Sequence, residues 1–323
     1  MAEILVTGAA GFIASKVAAQ LLDDGRNVVG VDNLNDAYDR RLKLHRLSEL
    51  KSRDRFVFHQ LDIEDLKGLR QIFSRNEFQV VLNLAARAGV RYSMENPFVY
   101  LSTNGMGTLN VLELMREFRV KKHVLASTSS LYAGQPMPFV ETAPVNTPLS
   151  PYAASKKAAE VMSYSYHHLH GIDSTVVRYF TVYGPAGRPD MSIFRFIRWI
   201  DTGQPIQMLG DGAQARDFTY VDDIAAGTLL ASRPLGYEII NLGGGQSPVS
   251  MHTVIAKLEE RLGKKAKVEY QDVHVADIKE TRADITKART MLGWEPKVTL
   301  DEGLDRTVQW YRQNRQLACD LEL

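Results

Sequence analysis

Residues 3–15, EILVTGAAGFIAS, run a short apolar strand into a glycine turn and on into the start of a helix. Such an opening constrains the chain to a parallel α/β sheet that begins with a dinucleotide-binding unit. Gly8 permits the tight turn, and Gly11 lets the backbone approach a pyrophosphate laid against helix N-terminal amides. Ala14 fills the third small position, where close helix and strand packing is needed. A second apolar strand, NVVGVD at 27–32, ends in Asp32, a carboxylate placed to accept ribose hydroxyls. Its charge would repel a 2'-phosphate, so NAD is expected over NADP, with Arg40 and Arg41 close by in the sequence. Asp32 before Asn33 also suits a simple strand-end turn.

Apolar runs at 55–62, 78–86, 122–127 and 174–180 alternate with helical patterns near 64–75 and 95–118 and with a helix that starts near residue 152. That alternation predicts a Rossmann-type doubly wound parallel sheet, with seven strands plausible by residue 180. After YFTVYGP (179–185), Gly and Pro punctuation at 184–190, 203–205 and 209–212 marks a smaller C-terminal α/β lobe for substrate. The expected division is residues 1–179 with about 217–242 for the cofactor, and 180–216 with 243–323 for the substrate. The ligand is expected between the lobes.

Within SPYAASK (150–156), Tyr152 and Lys156 stand one helical turn apart, so both lie on one helix face. An ammonium near a phenol favours the phenolate, which makes Tyr152 a candidate proton shuttle in hydride chemistry. No charge excess points to another class of partner: 39 basic residues against 38 acidic leave a net charge of +1, and neither nucleic acid nor a membrane surface is implied. No run approaches the ~18 apolar residues of a membrane span. The one cysteine, Cys319, cannot close an intramolecular disulfide, which suits a free thiol in the cytoplasm. His167, His168 and His170 lack the spacing of a zinc site, so no metal is expected.

Taken in order, TGAAGFIA, Asp32-Asn33, Asp62-Ile63, Leu84-Ala85-Ala86, Asn104, Ser127 to Ser130, Tyr152 with Lys156, YFTVYGP and RDFTYVDD (216–223) run through most of the chain. This set resembles the extended short-chain dehydrogenase/reductases, in their nucleotide-sugar epimerase branch. The resemblance implies cofactor contacts at Gly8, Gly11, Phe12, Ile13, Asp32, Asn33, Asp62, Ile63, Leu84, Ala85, Ala86, Asn104, Ser127, Tyr152, Lys156 and Tyr179. It implies catalysis by Tyr152, Lys156 and Thr128, and substrate contacts at Thr128, Ser129, Ser130, Tyr152, Thr181, Arg188, Arg216 and Asp277. Arg216 would face the substrate's diphosphate, although it could equally pair with Asp211 or Asp217.

Ser129 and Ser130 stand where resembling dehydratases carry a carboxylate, and a hydroxyl cannot serve as the base for elimination. Epimerisation at carbon 4 needs less: a proton leaves the 4-hydroxyl, the sugar is oxidised, the 4-keto sugar turns over, and reduction follows on its other face. Thr181 with GRPDM (187–191), DNLNDAYD (32–39) and AGVRYSMENP (88–97) resemble UDP-glucuronate 4-epimerases, with 4-epimerases of UDP-glucose or UDP-N-acetylglucosamine as the nearest rivals. Less favoured readings are a UDP-glucuronate decarboxylase and a non-catalytic sensor of NAD or a nucleotide sugar. Arg188 offers a fork for a sugar carboxylate and Thr181 a hydroxyl, but Arg188 could also only pin its loop to Asp190. The resemblance also implies a homodimer paired through the helices near 95–118 and 152–170, with Leu109, Leu112, Met115, Met162 and Tyr166 as outward apolar candidates.

Overall fold

The computed structural model describes residues 3–272 and 278–323. Its framework is a seven-stranded, all-parallel sheet. The first six strands are β1 (Glu3–Thr7), β2 (Asn27–Asp32), β3 (Phe56–Gln60), β4 (Phe78–Asn83), β5 (Lys122–Thr128) and β6 (Asp173–Tyr179). Six strands, not seven, thus precede residue 180. The seventh is Tyr237–Leu242, which returns from the later part of the chain to pair with β6. Across the sheet the order is Tyr237–Leu242, β6, β5, β4, β1, β2, β3. The winding reverses between β1 and β4, the position at which open α/β sheets bind ligands beyond the carboxyl ends of their strands.

The central strands are apolar because helices cover both faces. All of β5 is buried, and so are four of the five residues of β1. The helix Pro151–His170 starts and stops on recognisable signals: Ser150 Oγ accepts the Ala153 N–H at 3.2 Å, Pro151 takes the first turn, and Gly171 closes the C-terminus at φ +65°. The helical stretch before β5 is broken rather than continuous, with one wide π turn, Leu101–Met106, inserted ahead of the helix Gly107–Glu117. Asn104 sits in that turn, and such turns recur at functional sites.

A second core gathers around the helix Ser192–Thr202, where Ile193, Phe196, Ile197 and Ile200 repeat at helical spacing and pack with Val254, Leu258 and Leu304. Short strand pairs flank it: Thr181–Tyr183 with Phe218–Tyr220, Ile206–Leu209 with Val268–Gln271, and Ala215–Arg216 with Val249–Ser250. Leu42 and Tyr38, from the segment after β2, also pack into this core.

Leu112 and Met115 are fully buried on the sheet side, Tyr166 is buried, and Leu109 and Met162 pack against the same core. The expected outward face therefore belongs to other residues, because the helices are rotated to cover the sheet. Phe98, 82 % exposed, stands out with Leu101 and Met106 on one segment and with Val161, Tyr164 and Leu169 on the neighbouring helix.

Candidate functional site

Gly8 has φ +70°, and a Cβ there would lie 2.8 Å from Ala85 Cα, so only glycine allows the turn to seat against the end of β4. The contact is secured by Thr7 Oγ1, which accepts the Ala85 N–H at 3.0 Å and donates to Asn83 Oδ1 at 2.8 Å. Gly11 opens the helix Phe12–Asp23 with no side-chain cap, which leaves the helix end to a ligand anion. Asp32 is buried and accepts the Ala10 and Leu34 N–H groups at 3.1 and 2.8 Å. Asn33 donates to Asp62 at 2.6 Å, and Ile63 packs where a Cβ on Gly107 would collide. Turn, uncapped helix and carboxylate together fit a dinucleotide, and Arg41 is paired with Asp39.

Other expected cofactor contacts have protein partners. Asn104 accepts the Arg87 N–H at 2.9 Å and donates to Arg87 O and Ser155 Oγ, so it joins the π turn to the helix of Tyr152. The Tyr179 hydroxyl pairs with Thr228 at 2.9 Å. Leu84 and Ala86 border the turn at the end of β4, and Phe12 lines the cleft described below.

Thr128 ends β5 beside Tyr152, and both are buried. Burial pushes the Tyr152 phenol up; a hydrogen bond with Thr128 and the charge of Arg188 oppose it. The Lys156 ammonium donates to Ala126 O at 2.8 Å. Burial lowers Lys156 to about 8, with Glu160 acting against the shift. Tyr100 stands edge-on to Tyr152 with ring centroids 5.9 Å apart and fixes the phenol's orientation.

A cleft is lined by Phe12, Thr181, Gly184, Gly187, Arg188 and Ser192, so residues from both halves of the chain meet there. Arg188 forks onto Asp190, Nε to Oδ1 at 3.0 Å and Nη2 to Oδ2 at 2.6 Å, while its charge still reaches Tyr152. Ser129 and Ser130 are half-buried in the turn after β5, where the Ser130 N–H donates to Thr128 Oγ1 at 3.1 Å. Arg216 donates to Ala215 O at 2.9 Å, and Asp217 accepts the Ala283 N–H at 2.8 Å. Asp277 lies outside the described residues, as does the neighbouring His274.

Three residues at the site were not singled out from sequence. Glu160 accepts Ser127 Oγ at 2.6 Å and both nitrogens of a fully buried Arg178 fork at 2.9 and 2.7 Å. Arg178 also donates to Tyr132 OH, which donates on to Asn241, so no arm of the buried pair is left open. The 152, 156, 160 spacing could have revealed Glu160. Arg46, which donates to Ala10 O at 3.1 Å and to Ala186 O at 2.9 Å, carries no such local signal.

A profile of the GDP-mannose 4,6 dehydratase family matches residues 5–307. A UDP-glucuronate 4-epimerase of Thermodesulfobacterium geofontis (strain OPF15) is 60 % identical over 323 residues, all of both chains. Among solved structures, the UDP-glucuronic acid 4-epimerase from Bacillus cereus in complex with UDP-glucuronic acid and NAD superposes with TM-score 0.89 at 37 % identity, over 96 % of this chain and 99 % of that one. The UDP-glucose 4-epimerase from Thermotoga maritima, with UDP-glucose, also reaches 0.89, at 33 % identity over 97 % and 99 %. The chain belongs to the GDP-mannose 4,6 dehydratase family of extended short-chain dehydrogenase/reductases.

Proposed function

We infer that this protein is an NAD-dependent isomerase that interconverts UDP-glucuronate and UDP-galacturonate by transient oxidation at carbon 4. The observation that carries the reading is that the Thr128 hydrogen bond and the charge of Arg188 act on one phenol, that of Tyr152. Sixty per cent identity over the full length of a UDP-glucuronate 4-epimerase and likeness to a structure holding UDP-glucuronic acid and NAD support it.

NAD, when bound, supplies a reversible hydride acceptor for carbon 4. Gly8, Gly11, Phe12 and Ile13 would hold its pyrophosphate, Asp32 with Asn33 its adenosine ribose, and Lys156 its nicotinamide ribose. Tyr152 takes the 4-hydroxyl proton while Thr128 holds the same oxygen, and the pair returns that proton once the 4-keto sugar has turned over. The positive charge of Arg188 and the Thr128 hydrogen bond favour the phenolate, as proton abstraction requires. Ser129 and Ser130 carry no carboxylate, which leaves elimination without a base.

A 4-keto uronate is a β-keto acid, which loses carbon dioxide when its carboxylate stands perpendicular to the carbonyl. Arg188 and Thr181 would hold the carboxylate near the plane and suppress that leak. Arg216 and Asp277 would meet the rest of the nucleotide sugar. The division into residues 1–179 with about 217–242 and 180–216 with 243–323 follows the two cores only in part, because Ala283, Ile285, Ala288, Leu292 and Trp294 pack into the core of the main sheet, and Leu42 and Tyr220 into the second core.

Incubation with NAD and UDP-glucuronate, with the products resolved by chromatography, tests the assignment. UDP-galacturonate is expected; faster conversion of UDP-glucose would overturn the uronate reading.

The exposed apolar residues on 97–106 and 151–170 suit pairing with a second copy, as a homodimer. No helix among the described residues is long and apolar enough to cross a membrane. Residence in the cytoplasm rests on the lone Cys319.

A further inference from the structure

Arg46 is 3 % exposed, in the middle of the helix Arg40–Lys51, and its guanidinium meets backbone from both sides of the cleft. Nη1 donates to Ala10 O at 3.1 Å, inside the glycine turn. Nε and Nη2 donate to Ala186 O at 2.9 and 2.7 Å. Ala186 stands two residues before Arg188 with φ +53°, a left-handed conformation that a residue with a side chain keeps only where its surroundings impose it. Two charge-assisted bonds onto its carbonyl are such an imposition.

The connection extends further on each side. The Ala10 N–H donates to Asp32 at 3.1 Å, so Asp32, Ala10, Arg46 and Ala186 form one hydrogen-bonded chain from the ribose carboxylate to the substrate loop. Arg46 Nη1 also donates to Tyr38 OH at 2.7 Å. The Tyr38 ring centroid lies 5.5 Å from the Arg46 guanidinium and 5.7 Å from that of Arg188.

We propose that Arg46 is a positioning residue that locks the loop carrying Arg188 onto the glycine turn, so that occupancy of the cofactor site and the geometry of the carboxylate clamp are coupled. The proposal rests on the reading of Arg188 as the contact for the sugar carboxylate. Coupling of this kind is reciprocal: whatever the cofactor does to substrate affinity, substrate does to cofactor affinity. A loosened loop lets the carboxylate leave the carbonyl plane. The bond between carbons 5 and 6 then breaks, carbon dioxide departs, its electron pair forms the enolate of the 4-ketone, and carbon 5 takes up a proton.

Arg46→Lys keeps the charge but cannot fork between carbonyls on opposite sides of the cleft. The holoenzyme is given UDP-glucuronate labelled at carbon 6, and labelled carbon dioxide is counted per UDP-galacturonate formed. This ratio does not depend on the amount of active protein, so a general loss of stability leaves it unchanged. It is expected to rise about tenfold, the effect of losing one charge-assisted bond. UDP-glucuronate is also expected to slow NAD loss on gel filtration less in Arg46→Lys than in wild type. Adding Arg46→Lys to Arg188→Ala should raise the ratio no further, because both changes act through one group. Tyr38→Phe, which keeps the ring and removes one acceptor, should move the ratio in the same direction and serves if the lysine variant does not fold. An unchanged ratio in the folded variants, or additive effects in the double variant, overturns the proposal. A wild type that makes no UDP-galacturonate fails the functional reading instead, and the NAD measurement then still decides whether Arg46 couples the two sites.

Discussion

Ser127 donates to Glu160 at 2.6 Å, which pins the strand ending in Thr128 to the helix that carries Tyr152 and Lys156. Glu160 is held in turn by the Arg178 fork, so the distance between the two catalytic elements is set by a buried ion pair. Glu160→Ala leaves the Arg178 guanidinium buried without its carboxylate, a change that destabilises by about 3–5 kcal/mol. Urea unfolding of variant and wild type measures this. A difference below about 1 kcal/mol, the usual size for an exposed pair, would mean that the pair does not hold the site together.

Tyr152→Phe removes one oxygen and almost no volume. NAD is expected to stay bound while turnover falls about 100- to 10,000-fold, the range of general acid-base contributions. Retention of more than about a tenth of wild-type turnover would take the proton-shuttle role away from Tyr152.

The buried Lys156 sets the alkaline limit. Its folded value is lowered from 10.5 to about 8, so the ammonium is lost as pH rises past 8, and turnover should fall with an apparent pKa near that value. Unfolding at this group does not explain such a loss. Between about 8 and 10.5 the unfolded chain holds the extra proton, so stability from this group increases with pH across that window. Lys156→Arg keeps its charge throughout and should lack the alkaline limb. An identical limb in a folded arginine variant would assign the titration to another group.

What the sequence disclosed was what short spacings encode. Gly8, Gly11 and Asp32 depend on one strand, turn and helix, and Tyr152 with Lys156 on one turn of helix, so their meaning could be read locally. Arg46 reads as one more basic residue on a helix of mixed charge, because its partner Ala186 lies 140 positions away. The same holds for Arg178, whose burial depends on Tyr132, Glu160 and Asn241 converging from three other elements. The outward helix faces were misjudged for a related reason. Leu112 and Phe98 look equally apolar in sequence, and only packing on the sheet decides which one is covered.

Phe98 offers the direct test of assembly. With Leu101, Val161 and Tyr164 it forms the exposed apolar face on neighbouring helical segments. Phe98→Glu places a charge there without touching the cleft, and it should halve the mass seen by light scattering at micromolar concentration. A wild type that already scatters as a 36.2 kDa monomer would remove the homodimer.

Arg188 separates the uronate reading from that of a neutral-sugar epimerase. Its fork is closed on Asp190, so the guanidinium already has a carboxylate partner before any sugar arrives. A neutral hydroxymethyl group leaves that pair in place, whereas a carboxylate competes with Asp190 for the fork. Discrimination therefore comes from the exchange of one carboxylate for another, not from an unsatisfied cation. Arg188→Ala should lower the rate with UDP-glucuronate by about 10- to 150-fold, the equivalent of one charged hydrogen-bonding contact, and the rate with UDP-glucose far less. It should also release carbon dioxide as the carboxylate swings out of the carbonyl plane. Paired time courses of both sugars with wild type and variant give the comparison. Equal losses on the two sugars would remove Arg188 from carboxylate recognition and leave 4-epimerisation itself untouched.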